Sequence, residues 1–187
     1  MRRWLLAVVL TVPAIAGCTQ STNSSAPAAA LTGDTAPAVT GATTPAVTEP
    51  KVVPVGFETI GVTLREAGGA LRDLCLWLAA TDEQRAQGLM QVTDLGGRDG
   101  MLFQYDAPTT ATFWMFQTVM PLSIAFFDDG GEFVSSTDME PCPPDTDCPS
   151  YAAAGEFMDS IEVPQGQLDD LGIGPGSAIL GRGACPA

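Results

Sequence analysis

Three textures follow one another along this chain. Trp4 to Ile15 is almost continuously apolar, broken only by Thr11 and Pro13. The stretch from residue 19 to about residue 50 is nearly all Ser, Thr, Ala, Pro, Gly, Asn and Val. From Val52 onward apolar residues become dense, and Gly, Pro and Asp punctuate them at short intervals.

In that last region Phe57 to Leu64 alternates apolar and polar positions, the period of a half-buried strand. Leu71 to Ala79, Gly100 to Tyr105, Ala111 to Phe116 and Leu122 to Phe127 read as further strands. Asp128-Asp129-Gly130-Gly131 is a hairpin turn signal, and Glu132 to Met139 continues as its partner. Asp82 to Met90 holds helix formers behind Thr81, an N-cap residue with Gln84 at capping-box spacing. Ser160 to Val163, a helical turn at Gln165 to Leu171, and Ser177 to Leu180 complete the pattern. Many short strands with Gly and Pro turns predict a mostly β, α+β domain over residues 51–187. Its expected architecture is a compact antiparallel barrel-like sheet with one or two short helices.

The first texture changes where this domain is expected to work. Arg2 and Arg3 precede twelve apolar residues, too few to span a bilayer, which needs about 20. The stretch suits the apolar region of a secretory signal and ends in Ile15-Ala16-Gly17-Cys18, similar to the lipobox of bacterial lipoprotein precursors. The expectation is a signal peptide over 1–17, diacylglycerol and acyl attachment at Cys18, and anchoring on the outer face of a bacterial membrane. Two or more acyl chains suffice for stable anchoring. Residues 18–50 then form the anchor and a disordered tether, whose Pro residues block helix and whose composition leaves little to bury. About 30 residues of coil hold the domain on the order of 30 Å from the membrane.

Charge and composition remove several functions. The formal net charge is −14, and loss of Arg2 and Arg3 with the signal takes it to −16. Nucleic acid is not an expected partner, because binding it needs Lys and Arg to displace counterions. The chain has no His. Ser-His-Asp and Cys-His nucleophile systems and imidazole zinc sites are therefore impossible within it. A general base must be a carboxylate. Met90, Met101, Met115, Met120 and Met139 cluster in sequence, but without a tight repeat they read as core filler rather than as copper ligands. No metal or other cofactor is expected.

Four Cys remain besides Cys18, an even number suited to an oxidising compartment. Cys142 and Cys148 bracket a short loop stiffened by Pro143 and Pro144, and Cys75 and Cys185 are left to pair. Two other pairings stay open on sequence grounds.

The densest apolar run, Phe113-Trp114-Met115-Phe116, is apolar at both parities and predicts a strand buried on both sides. Its alternative role is an aromatic wall of a ligand pocket, with Gln117 and Thr118 at the mouth and Arg85 and Met90 from the helix beside it. Arg85 and Glu83 suit either a carboxylate or sugar ligand or, more commonly, a surface salt bridge or a structural tie to the strand beneath. Asp128 and Asp129 are turn formers, and Asp145 and Asp147 lack the spacing of a calcium loop.

Five segments carry a resemblance to a known family: EQRAQGLM (83–90), GMLFQYDAPTTATFWMFQT (100–118), PLSIAFFDDGGEFV (121–134), Met139 to Cys142, and CPSY (148–151). In this order they resemble the uncharacterised family numbered 192 in the domain-of-unknown-function series. The resemblance implies a compact barrel-like β fold with short helices, often exported, and no established activity. The chain departs from that family's pattern at Val92, Gln117 and Ser123, where the family favours Arg, Asn and Asp.

Together these features lead to an expected function: a membrane-anchored envelope lipoprotein with a non-enzymatic domain that binds a small ligand or an envelope protein. The alternatives are a purely protein-interaction component of the envelope and a carboxylate-dependent enzyme acting on envelope carbohydrate. The enzyme requires two acids converging on one cleft.

Overall fold

The computed structural model describes residues 50–143 and 146–186. Cys18, the signal segment and the tether lie outside the described residues. Nine strands and one helix follow in order: β1 (Glu58–Arg65), β2 (Leu71–Ala79), α1 (Asp82–Gln87), β3 (Gly100–Thr109), β4 (Thr112–Trp114), β5 (Leu122–Phe127), β6 (Phe133–Met139), β7 (Ser150–Ala152), β8 (Phe157–Pro164) and β9 (Ala178–Gly183). Among the described residues, no helix is long and apolar enough to cross a membrane.

Seven strands form one sheet in the order β6-β5-β8-β3-β2-β1-β9, and β4 pairs with β7 in a separate two-stranded layer. The fold is mostly β with one short helix, as the pattern predicts. It corrects that prediction in three respects. The sheet is not wholly antiparallel, since β2 and β3 run parallel from Leu76↔Gly100 to Ala79↔Phe103. A parallel neighbour requires a crossover, and α1 with the segment after it supplies one. Residues 165–171 form turns, not a helix. And 113–116 is not a central strand: β4 is three residues long and pairs only with β7, which the sequence pattern does not reveal.

The sheet curls, but it is not a closed barrel. Its edge strands meet at one end only, through the bridge Glu132↔Ala178. Phe133 N–H donates to Ser177 C=O at 3.1 Å, and Ile179 N–H donates to Gly131 C=O at 2.8 Å. Over the same junction Arg65 Nη2 donates to both carboxylate oxygens of Glu132. Gly131 makes the approach possible: its φ is +79°, and a Cβ there would lie 2.3 Å from the Ile179 carbonyl oxygen. The turn before it is held by Asp128 Oδ1, which accepts from the N–H groups of Gly130 and Glu132.

Both faces of the sheet are buried. The inner face draws Val62, Leu64, Leu74, Leu76, Leu102, Phe127, Ile161 and Ile179 from six strands. The outer face draws Met101, Phe103, Ile124 and Phe126, covered by Leu89, Val92, Leu95, Phe113 and Met115 from the helix–loop segment and the β4 layer. All six residues of β5 are buried as a result. Alternation sends Leu122, Ile124 and Phe126 to the outer layer and Ala125 and Phe127 to the inner one.

The helix is short because of its ends. Thr81 accepts from the Gln84 N–H while the Gln84 side chain accepts from the Thr81 N–H, a complete capping box. Gly88, with φ +47°, stops it three residues before the expected Met90.

Two disulfides are formed, Cys75–Cys185 and Cys142–Cys148. The first spans 110 residues and ties β2 to the segment after β9. Loop-closure entropy predicts that opening it by Cys75→Ala/Cys185→Ala costs about 5 kcal/mol, against about 2 kcal/mol for Cys142→Ala/Cys148→Ala. Urea unfolding of the two double variants checks this ranking. Gly131→Ala is expected to cost about 1–3 kcal/mol by straining the turn and parting the sheet edges.

Candidate functional site

A cavity of about 290 Å³ lies between α1, β3, β4 and β8. Four aromatic residues, Phe103, Tyr105, Phe113 and Trp114, line it together with Asp82, Arg85 and Gln87 from α1, Met90 and Thr118. Glu162 on β8 also lines it.

Strand pairing places Glu162 where it is. It stands opposite Met101 on β3 and opposite Ile124 on β5, both part of the outer apolar layer. Its side chain therefore leaves the sheet on the apolar face beneath α1, and the residue is only 5% exposed. Among the described residues its carboxyl makes neither a hydrogen bond nor an ion pair, because its cross-strand neighbours have nothing to offer. Burial pushes its pKa up to about 8, so it is mostly protonated at neutral pH. Ser160, two positions earlier on the same face, lies between Phe103 and Phe126, and its Oγ is buried without a partner among the described residues.

The rim is organised by Arg85. Its Nη1 donates to the carbonyls of Ala80 and Gln104, each at 2.6 Å, and its Nη2 donates to Asp82 Oδ1 at 2.5 Å. The guanidinium also stacks over the Tyr105 ring, 4.6 Å from its centroid. Arg85 thus ties the helix to β3 while forming part of the cavity edge. Burial raises the Tyr105 hydroxyl above its ordinary range, partly offset by Arg85.

Trp114 projects outward, 58% exposed, because β4 alternates Phe113 inward and Trp114 outward. Its ring stacks on Phe116, with centroids 5.3 Å apart. Arg85, Met90, Trp114 and Thr118 from the sequence-level site therefore share one cavity. Met115 and Gln117 do not belong to it. Met115 follows the inward parity of Phe113 and is buried in the outer core layer. Gln117 has φ +53°, and its carbonyl accepts from the N–H of Gln91, itself at φ +60°. That backbone turns its side chain to a neighbouring groove lined by Val119, Pro141, Cys142 and Pro143. Among the described residues no group of acids and cysteines could hold a metal ion.

A second buried acid lies elsewhere. Asp159 on β8 pairs with Arg182 on β9, and burial raises its pKa while Arg182 opposes the shift.

The model of family DUF192, described as an uncharacterized ACR, matches residues 63–181. This chain belongs to the DUF192 family. Two solved structures are similar to it. One, from Novosphingobium aromaticivorans, is a protein of unknown function with 32% identity and a TM-score of 0.56, covering 71% of this chain and 93% of that one. The other, from Sinorhizobium meliloti, is described as a candidate transcription regulator, with 26% identity and a TM-score of 0.57 over 67% of this chain and 95% of that one. No curated protein matches the chain. Val92, Gln117 and Ser123 all lie off the cavity. Val92 is buried in the outer core, Gln117 faces the neighbouring groove, and Ser123 Oγ bonds Asp138 and the Gly166 N–H.

Burying Glu162 has a pH signature. Its folded pKa lies above its unfolded value of 4.5, so the native state binds more protons between about pH 4.5 and 8. Stability is lost as pH rises through that window. Glu162→Gln is therefore expected to be more stable than wild type, with little gain at pH 5 and a gain of up to about 4 kcal/mol at pH 8. Denaturant titrations of both proteins at the two pH values measure the difference.

Proposed function

We propose that this DUF192 chain is a lipoprotein held at the outer face of a bacterial membrane through Cys18, with a domain that binds a ligand in the Glu162 cavity and does not turn it over. The observation that carries the binding reading is a buried carboxyl without a partner, set in a cavity with aromatic walls. Such a group is destabilising in the free protein, and a complementary ligand relieves that cost. Glycoside chemistry fits less well, because it requires two cooperating acids. The other acid on this cavity, Asp82, is exposed at the rim and held by Arg85. The net charge of −14 argues against carrying the regulator description of the Sinorhizobium protein over to this chain as DNA binding. A second reading, docking of an envelope protein, is favoured by the outward Trp114 and the 53% exposed Val119 nearby on the surface.

Two measurements test this proposal. Cells expressing the full chain are expected to incorporate labelled fatty acid into it and to retain it with membranes. Cys18→Ser should lose both properties, and an unlabelled, soluble wild type would remove the anchor. In a thermal-shift screen of amines, sugars and cell-wall fragments, a true ligand at a hundredfold excess over its Kd contributes about 2.7 kcal/mol. Trp114→Ala should abolish that shift. A flat screen with a folded protein would favour the docking reading.

A further inference from the structure

The chemistry of the cavity points to a ligand class, which rests on the reading of that cavity as a binding site. Glu162 is buried among apolar neighbours on both adjacent strands and has no partner among the described residues. What its geometry lacks is a donor, and four aromatic residues are among those that line the cavity above it. Aromatic faces attract cations, and here one already does so: Arg85 rests on Tyr105. Arg85, the only basic residue lining the cavity among the described residues, commits Nη1 to the Ala80 and Gln104 carbonyls and Nη2 to Asp82, and it makes no ion pair with Glu162. An anionic ligand would have to compete with Asp82 for Arg85 and would meet a chain of net charge −14, whereas a cation would be drawn toward it.

We infer that the cavity receives a small organic cation bearing a primary amine, whose ammonium group seats against the Glu162 carboxyl between the Tyr105 and Trp114 rings. The step is a proton exchange. The ligand enters as an ammonium ion, the protonated Glu162 carboxyl gives up its O–H proton to solvent, and an ammonium–carboxylate pair remains. No covalent bond between ligand and protein is made. The other titratable groups facing Glu162 are few. α1 brings Asp82 and Arg85, already paired with each other, and β3 brings Tyr105. β4 presents Thr112, Phe113 and Trp114, and β5 presents Ile124 opposite Glu162, none of which titrates.

Calorimetry on the full-length chain in detergent, with n-butylamine and 1,4-diaminobutane as probes, tests the inference. Glucose and tetramethylammonium serve as neutral and non-donating comparisons. At pH 7, titrations in two buffers of different ionisation enthalpy should show up to one proton released per amine bound. Affinity should rise about tenfold per pH unit from pH 5.5 to 7.5, as expected when a group with a pKa near 8 must ionise. Glu162→Gln should keep the fold, abolish proton release and weaken amine binding at least tenfold. Amine binding without proton release, or unchanged in Glu162→Gln, overturns the inference. Trp114-dependent glucose binding with no amine binding overturns the ligand class but leaves the cavity reading standing. No binding of any probe by the folded protein overturns the inference, and a flat broader screen would then remove the cavity reading as well.

Discussion

The fold depends on one constraint: the main sheet is apolar on both faces, and neither can be left to water. β5 shows it most directly, with six consecutive buried residues sending Ile124 and Phe126 one way and Ala125 and Phe127 the other. Curling encloses the inner face, and the junction at Gly131, Glu132 and Ala178 holds the curl. The outer face needs a separate cover, and the chain builds it from α1, the Leu89–Leu95 segment and the β4–β7 layer. Fully burying one large apolar side chain is worth about 1.5–3 kcal/mol, so these covers contribute far more than any one hydrogen bond in them.

That outer cover is built from three pieces, and the cavity opens where they meet. The helix is only six residues long, stopped by Gly88, and β4 is only three. Between them the sheet is not sealed, and Glu162 stands beneath the gap. At its edge Arg85 braces the rim through the carbonyls of Ala80 and Gln104. The candidate site is thus a consequence of how a two-faced sheet is covered by short elements, and the buried acid is the feature that core packing alone does not explain.

Much of this was legible locally. The capping box at Thr81 and Gln84, the Asp128 turn and the strand at Leu122–Phe127 are short-range patterns, and both disulfides match the pairing that spacing favours. Of the sequence-level site, Arg85, Met90, Trp114 and Thr118 converge on the cavity. Glu162 was not legible. In Ser160-Ile161-Glu162-Val163 an acid alternates with aliphatic residues, which is how the solvated face of a strand reads. Only its register against Met101 and Ile124 reveals burial, and register between distant strands is set by long-range pairing. The parallel β2–β3 pair and the β4–β7 layer escaped for the same reason. Gln117 was misplaced because nothing in its sequence signals a positive φ.

The central claim is that Glu162 is an uncompensated acid under an open cover. Its titration, followed by carboxyl-carbon NMR in the folded, ligand-free protein with Glu162→Gln for assignment, tests that most directly. The account predicts a midpoint near pH 8, well separated from the exposed acids. A midpoint near 4.5 would mean that Glu162 is solvated or paired, and would contradict it.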